Sequence, residues 1–302
     1  MKIYLLLLKF IVMKQSLLLS ILLLLLVSCD RFGKKQGAAK EEQRIVCIAK
    51  QYNEIIWALG AQQNMVGVDI SSTYPTAIQQ VQTVGYHRAL STEGILATRP
   101  TLLLHDNNIG PEHVVQQLEA LKIPMKVFDN TGSTIDSTKM LIREIGAYFG
   151  KEKAADSICR RLDQDMELAM KTAKQYTKPV YVLVVHFGQA TNAYFVMTKN
   201  SSAAKLIQWA GGELAVEGTR GMQPISAELV AASDPDVILL TDYGYDRLGN
   251  PEKIRELPGI AGTAAARRGK IYRVEEHDLV YLGPRTGEII VQLQKLIHQD
   301  VK

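Results

Sequence analysis

Residues 134 to 176 contain no proline and carry apolar side chains at helical spacing, with one weak break at Phe149-Gly150-Lys151. One long helix, or two abutting ones, is expected there. On its N-terminal side the pattern alternates strand and helix. IVCIA (45–49) leads into the helical NEIIWALG (53–60), MVGVD (65–69) into the short helix of STEGILA, and TLLLH (101–105) through PEHVVQQLEALK to MKVFD (125–129). On its C-terminal side the same alternation restarts with PVYVLVVHFG (179–188) and SSAAKLIQWAGG (201–212). SAELVAASDPDVILLT (226–241), KIYRVEE (270–276) and a closing helix over 286–299 complete it. Such alternation specifies an α/β protein with two mostly parallel lobes joined by a single long helix, and a ligand cleft between the lobes. The expected boundaries are 44–131 for the N-terminal lobe, 132–178 for the helical link and 179–302 for the C-terminal lobe.

The N-terminus bears on the compartment. Residues 15–29, QSLLLSILLLLLVSC, form an apolar run behind Lys14 that ends in Ser28 and Cys29. The plain reading of 1–28 is a signal peptide, with a retained membrane anchor as the alternative. Met13-Lys14 would serve as a start by itself. LVSC resembles the lipobox of bacterial lipoproteins, which implies lipidation at Cys29, and Asp30 resembles an inner-membrane retention signal. Residues 29–43 then read as a flexible polar tether.

Composition narrows the function. Three of the basic residues behind the formal charge of +4 (Lys2, Lys9, Lys14) lie in the leader, so the exported body is nearly neutral and offers no broad field to a nucleic-acid backbone. Three cysteines are too few for a disulfide scaffold, and Cys47 and Cys159 read as separate buried thiols. The chain has no GxxxxGK[ST], HExxH, GxSxG or GxGxxG, and its six histidines form no close pair suited to a metal. An enzyme is therefore disfavoured.

VGYHRALSTEGILATRPTLLL resembles the segment VGYxRxLSxEGxLxLxPxLVL of haem-binding proteins that serve bacterial haem ABC importers. GVDISSTYP, PISAELVAASDPDVILL and LPGIAGTAAARRGKIYRVEEHDLVYLGPRTGE extend the likeness, in the family's order, over about residues 44–299. The wider group, the vitamin B12 and ferric-siderophore binding proteins, has two α/β lobes joined by one long helix. The resemblance implies a monomeric, non-enzymatic lipoprotein outside the cytoplasm that captures haem and delivers it to an ABC permease dimer. A corrinoid or ferric-siderophore carrier of the same fold is the alternative; a metal chelatase or a purely structural lipoprotein would be a different class.

By resemblance, Tyr86 is an axial ligand to the haem iron. A phenolate is a hard anionic donor suited to Fe(III), and the adjacent Arg88 is expected to favour the anion. His186 ends the apolar run VYVLVV and is the candidate ligand from the second lobe; His105 and His87 are weaker candidates. Tyr74, Tyr194, Phe195, Met197, Tyr243 and Tyr245 are candidate lining, and Arg220 and Arg285 candidate charges for propionates. Relatives often carry paired glycines in the first strand–helix loop, where this chain has Ala49-Lys50-Gln51-Tyr52, so Lys50 or Tyr52 is expected to approach the ligand. Glu54 and Glu228 are the expected permease-docking carboxylates, one per lobe.

Overall fold

The computed structural model describes residues 42–129, 131–189 and 191–299. The signal peptide, Cys29 and Asp30 lie outside the described residues. Among the described residues no helix is long and apolar enough to cross a membrane.

The first lobe is built on strands β1 (Ile45–Cys47), β2 (Met65–Val68), β5 (Leu102–Leu104) and β6 (Met125–Lys126), all parallel in the order β2-β1-β5-β6. A separate two-stranded hairpin, β3 (Gly85–Tyr86) with β4 (Ala89–Leu90), stands beside the sheet. β1 is buried throughout because both faces are covered, which is why IVC shows no polar alternation. Ile45 and Cys47 face a core shared with helices Lys50–Ala58 and Ile135–Tyr148. Val46 and Ile48 face another, which includes Val114 and Leu118 of helix Glu112–Ala120.

The helical link divides at the expected break. Helix Ile135–Tyr148 opens with a Thr134/Ser137 capping box and packs on the first lobe. Gly150, at φ +64°, ends it, and the Lys151 amide closes the turn on the Gly146 carbonyl at 2.7 Å. Helix Glu152–Ala173 then runs to the second lobe and buries Ala155, Cys159, Leu162, Met166 and Ala169. These residues join one core cluster that extends through Val182, Val184 and Leu239 of the second sheet to the terminal helix Thr286–Ile297. Both lobes belong to one compact unit, residues 43–302.

The second lobe has strands β7 (Val180–Gly188), β8 (Ala193–Met197), β9 (Gly212–Leu214), β10 (Met222–Pro224), β11 (Val237–Thr241) and β12 (Ile271–Val274). The order is β10-β8-β7-β11-β12, with β7, β11 and β12 parallel. β9 pairs with the first residues of β7 in parallel, and β8 with its last residues in an antiparallel hairpin. That hairpin departs from the simple parallel repeat and places an extra strand beside His186. Cys47 and Cys159 are both free and buried.

Helices 152–173 and 286–297 meet at Gly287, where an added Cβ would lie 2.6 Å from the Asp165 carbonyl carbon and 2.7 Å from the Met166 amide nitrogen. Backbone cannot yield there as a side-chain tip could. Gly287→Ala is expected to cost about 1–3 kcal/mol and to lower the thermal midpoint by roughly 2–4 °C per kcal/mol, read by calorimetry.

Candidate functional site

Tyr86 is held on a tight hairpin at the end of the first sheet. Tyr86 pairs with Ala89, so His87 and Arg88 form the turn. The hairpin is tied down on both sides. The Val84 amide donates to the Val68 carbonyl (2.9 Å), the Ile70 amide to Gly85 (3.0 Å) and the Gly110 amide to His87 (2.7 Å). Asp69, fully buried just after β2, accepts from the His87 amide, and its Oδ2 lies 3.1 Å from His87 Nδ1. Its other oxygen accepts from the Ser71 amide at 2.6 Å. A buried carboxylate that gathers backbone donors fixes a loop, so Asp69 sets the direction of Tyr86. Sequence reading passed over it, although GVD before a polar turn is the expected setting for a loop-tying aspartate.

His186 comes from the other lobe, near the end of β7. Its Nδ1 lies 3.4 Å from the Thr241 hydroxyl at the end of β11. Tyr86 and His186 line the same inter-lobe cavity, of about 370 Å³, together with Lys50, Arg88, Phe187, Phe195, Met222, Glu276, Val280 and Tyr281. Both aromatic walls and polar groups therefore converge between the strand ends.

The electrostatics differ from expectation at Tyr86. Burial pushes its phenol above the ordinary value and outweighs the lowering effect of Arg88, while Glu276 and Asp69 raise it further. The ligand-free site thus holds the neutral phenol, not the phenolate. Burial likewise lowers His186, leaving a neutral imidazole with a lone pair to offer. Arg88 Nε donates to Asn108 Oδ1 at 3.1 Å, on the exposed rim.

Several expected lining residues stand elsewhere. Of the six aromatic and methionine candidates only Phe195 lines the cavity. Met197 is buried in the core, the Tyr194 hydroxyl donates to the Gly244 carbonyl at 3.1 Å, and Tyr245 packs against the second-lobe core. Tyr243 lies against Phe187 and Tyr74 lies under Arg285. His105 opens onto a separate surface pocket with Asn107, away from Tyr86. The Tyr52 hydroxyl accepts from the Phe128 amide, whereas Lys50 does reach the cavity. Arg220 is exposed away from it.

Glu54 is corrected by the structure. It is only 3% exposed, so it presents no carboxylate to a docking partner. Instead it joins the lobes: Oε1 accepts from Arg285 Nε at 2.9 Å, and Oε2 meets His277 Nε2. Arg285 also pairs with Asp278 at 2.8 Å, and Gln51 Nε2 donates to the Leu282 carbonyl at 2.5 Å. Helical amphipathicity could not show this, because the partners lie in the other lobe.

Glu228 is exposed in the first turn of helix Ala227–Ser233, whose N-cap Ser226 accepts from the Leu229 amide at 3.2 Å. The first lobe contains the same motif, residue for residue. Ser91 caps helix Thr92–Leu96 by accepting from the Gly94 amide at 2.9 Å, and Glu93 is exposed in its first turn. Thr98 and Ser233 then each return a hydroxyl to the carbonyl three residues back. Arg99 and Asp234 both take positive φ, at 50° and 28°, before Pro100 and Pro235 lead into a central strand. The lobe-one counterpart of Glu228 is therefore Glu93; aligning LSTEGILATRP with ISAELVAASDP would have revealed it.

Two α/β lobes with a side-chain-lined cavity between their strand ends define a solute-binding protein. The chain belongs to the periplasmic binding protein family, whose profile matches residues 45–277. Its members are extracytoplasmic binding and transport proteins, not enzymes. The apo periplasmic heme-binding protein RhuT from Roseiflexus sp. RS-1 superposes with a TM-score of 0.77 at 30% identity, covering 85% of this chain and 98% of that one. An uncharacterized ABC transporter substrate-binding lipoprotein, YvrC of Bacillus subtilis (strain 168), is 24% identical, over 86% of this chain and 82% of its own length. The vitamin B12-binding protein of Pectobacterium atrosepticum is also 24% identical, over 70% and 75%.

Burial alone would push the Glu54 carboxyl up, but His277 and Arg285 outweigh it and hold it below the ordinary value of 4.5. A depressed carboxyl stabilises the fold fully above that value, and the contribution is lost as pH falls through the lowered one. Glu54→Gln is expected to cost about 3 kcal/mol at neutral pH and to flatten the stability profile below pH 4.5, measured by urea unfolding across pH.

Proposed function

We propose that this chain captures haem outside the cytoplasmic membrane and hands it to an ABC permease, with the Tyr86 oxygen as an axial ligand to ferric iron and His186 facing it from the other lobe. The observation that carries the reading is that a phenol from one lobe and a neutral imidazole from the other line one cavity with Phe187, Phe195 and Val280. Among the described residues no group of three or more His, Cys, Asp or Glu could hold a bare metal ion. A metalloporphyrin needs no such group, because its macrocycle supplies four nitrogens and leaves only axial positions. The haem-binding RhuT, with the same fold, supports this choice of cargo. Arg88, exposed at the rim, suits a propionate. Cys29 would carry the lipid that tethers the body to the membrane.

Haemin titration of the purified protein is expected to give a saturable absorption band. Tyr86→Phe should change that band and weaken binding by roughly ten-fold or more, about 1.4 kcal/mol. An unchanged band and affinity would defeat ligation by Tyr86. The vitamin B12-binding relatives favour a corrinoid as the second reading. Saturable cobalamin binding without a haemin band would select it.

Glu93 and Glu228 form the proposed docking pair, one exposed carboxylate on each lobe in the same local motif. Rim charges of this kind steer encounter and orientation. Reversing both (Glu93→Lys with Glu228→Lys) is expected to leave haemin affinity unchanged while abolishing delivery to the permease in proteoliposomes.

A further inference from the structure

The hairpin that carries Tyr86 hangs on residues 69–75. The Ile70 amide donates to the Gly85 carbonyl at 3.0 Å, and Asp69 accepts from the His87 amide and, at 2.6 Å, from the Ser71 amide. Ser71 in turn lines the cavity. Two further contacts anchor this segment. One lies within its own lobe: Asn53 Nδ2, on helix Lys50–Ala58, donates to the Ser72 hydroxyl at 2.9 Å. The other reaches the second lobe, where the Arg285 guanidinium carbon stands 3.4 Å from the centroid of the Tyr74 ring. Arg285 is itself pinned, because Nε donates to Glu54 Oε1 at 2.9 Å and Nη2 to Asp278 Oδ1 at 2.8 Å. A guanidinium held by two carboxylates over an aromatic face makes a directed contact, since its planar group stacks in few orientations.

With Tyr74 fixed to the second lobe, the segment holds Asp69, and through it His87 and Tyr86, in a place that the first lobe does not set alone. We propose that Tyr74 is a positioning residue for the site: its stack on Arg285 makes the place of the Tyr86 oxygen depend on the contact between lobes, so that parting the lobes loosens the ligand as well as opening the cavity. The part played in iron ligation rests on the haem reading; the dependence of the hairpin on Arg285 does not.

Amide hydrogen exchange of the ligand-free protein and haemin titration test it on the same variants. Tyr74→Ala leaves Arg285, Glu54 and Asp278 in place and is expected to speed exchange at the His87 amide about five-fold, with no matching rise at Leu239 in the second sheet. Haemin should bind it about five-fold more weakly, with a band displaced toward that of Tyr86→Phe. Tyr74→Phe keeps the ring and should match the wild type in both. Arg285→Lys keeps the charge beside Glu54 but loses the flat face, and should loosen His87 as much as Tyr74→Ala does; the two together should loosen it no further. A merely structural contact would speed exchange in both sheets alike and leave the band in place. Exchange rising no more at His87 than at Leu239, Tyr74→Phe as loose as Tyr74→Ala, additive effects of Tyr74→Ala and Arg285→Lys, or an unchanged haemin band in Tyr74→Ala overturns the proposal. Should Tyr74→Ala not fold, Arg285→Lys carries the same comparisons. A wild type without a haemin band defeats the haem reading instead, and the exchange results then judge the lobe dependence by themselves.

Discussion

The buried contact between helix 50–58 and the segment 276–286 holds the two lobes in a fixed relation, and the cavity depends on it. Lys50, Gln51 and Glu54 all reach across to the second lobe, to Glu276, the Leu282 carbonyl, and His277 with Arg285. An apolar contact would tolerate sliding, whereas paired charges removed from water tolerate few arrangements, since each lost partner leaves a desolvated ion. Helix 152–173 ties the lobes along one side through its packing on helix 286–297, and the Lys50–Glu276 ion pair ties them at the cavity lining. Tyr86 and His186 face a common space because both ties hold.

Within that space burial decides the state of each donor. At Tyr86 desolvation overrides Arg88 and keeps the phenol protonated; at His186 the same desolvation favours the neutral form. One effect leaves the phenol needing a Lewis acid to displace its proton and leaves the imidazole ready as it stands. The cavity therefore offers little to a weak Lewis acid on the Tyr86 side, which suits ferric iron as the proposed cargo.

Where the chain's own pattern determines structure, sequence reading succeeded. The unbroken apolar run IVCIA reads as a strand, and β1 is one, buried throughout; Gly150 ends helix 135–148 at the expected break. The hairpin of Tyr86 was visible only through a family-like block, because two residues per strand carry no periodicity of their own. β8 was missed because AYFVM follows β7 in an antiparallel hairpin, against the parallel grammar of its surroundings. Glu54 was misplaced for another reason: its partners are more than two hundred residues away, and nothing local distinguishes a buried inter-lobe carboxylate from a helix-start one. The break between helices 135–148 and 152–173 shows the same limit from the other side, since its closing hydrogen bond is local and its signal was correspondingly legible.

The repeated Ser-x-Glu motif gives the two lobes a relation that the cavity does not. Around the cavity the lobes are unlike in charge: Lys50 and Arg88 come from one, and Glu276 comes from the other. At the helices begun by Ser91 and Ser226 they are alike, down to the capping hydroxyl, the exposed glutamate and the positive-φ residue before proline. Asymmetry suits a pocket that must grip two faces of one cargo by different chemistry. Likeness on the outside suits a partner that presents the same basic group twice, as a two-fold symmetric permease dimer would, because each lobe then meets one subunit through the same local geometry.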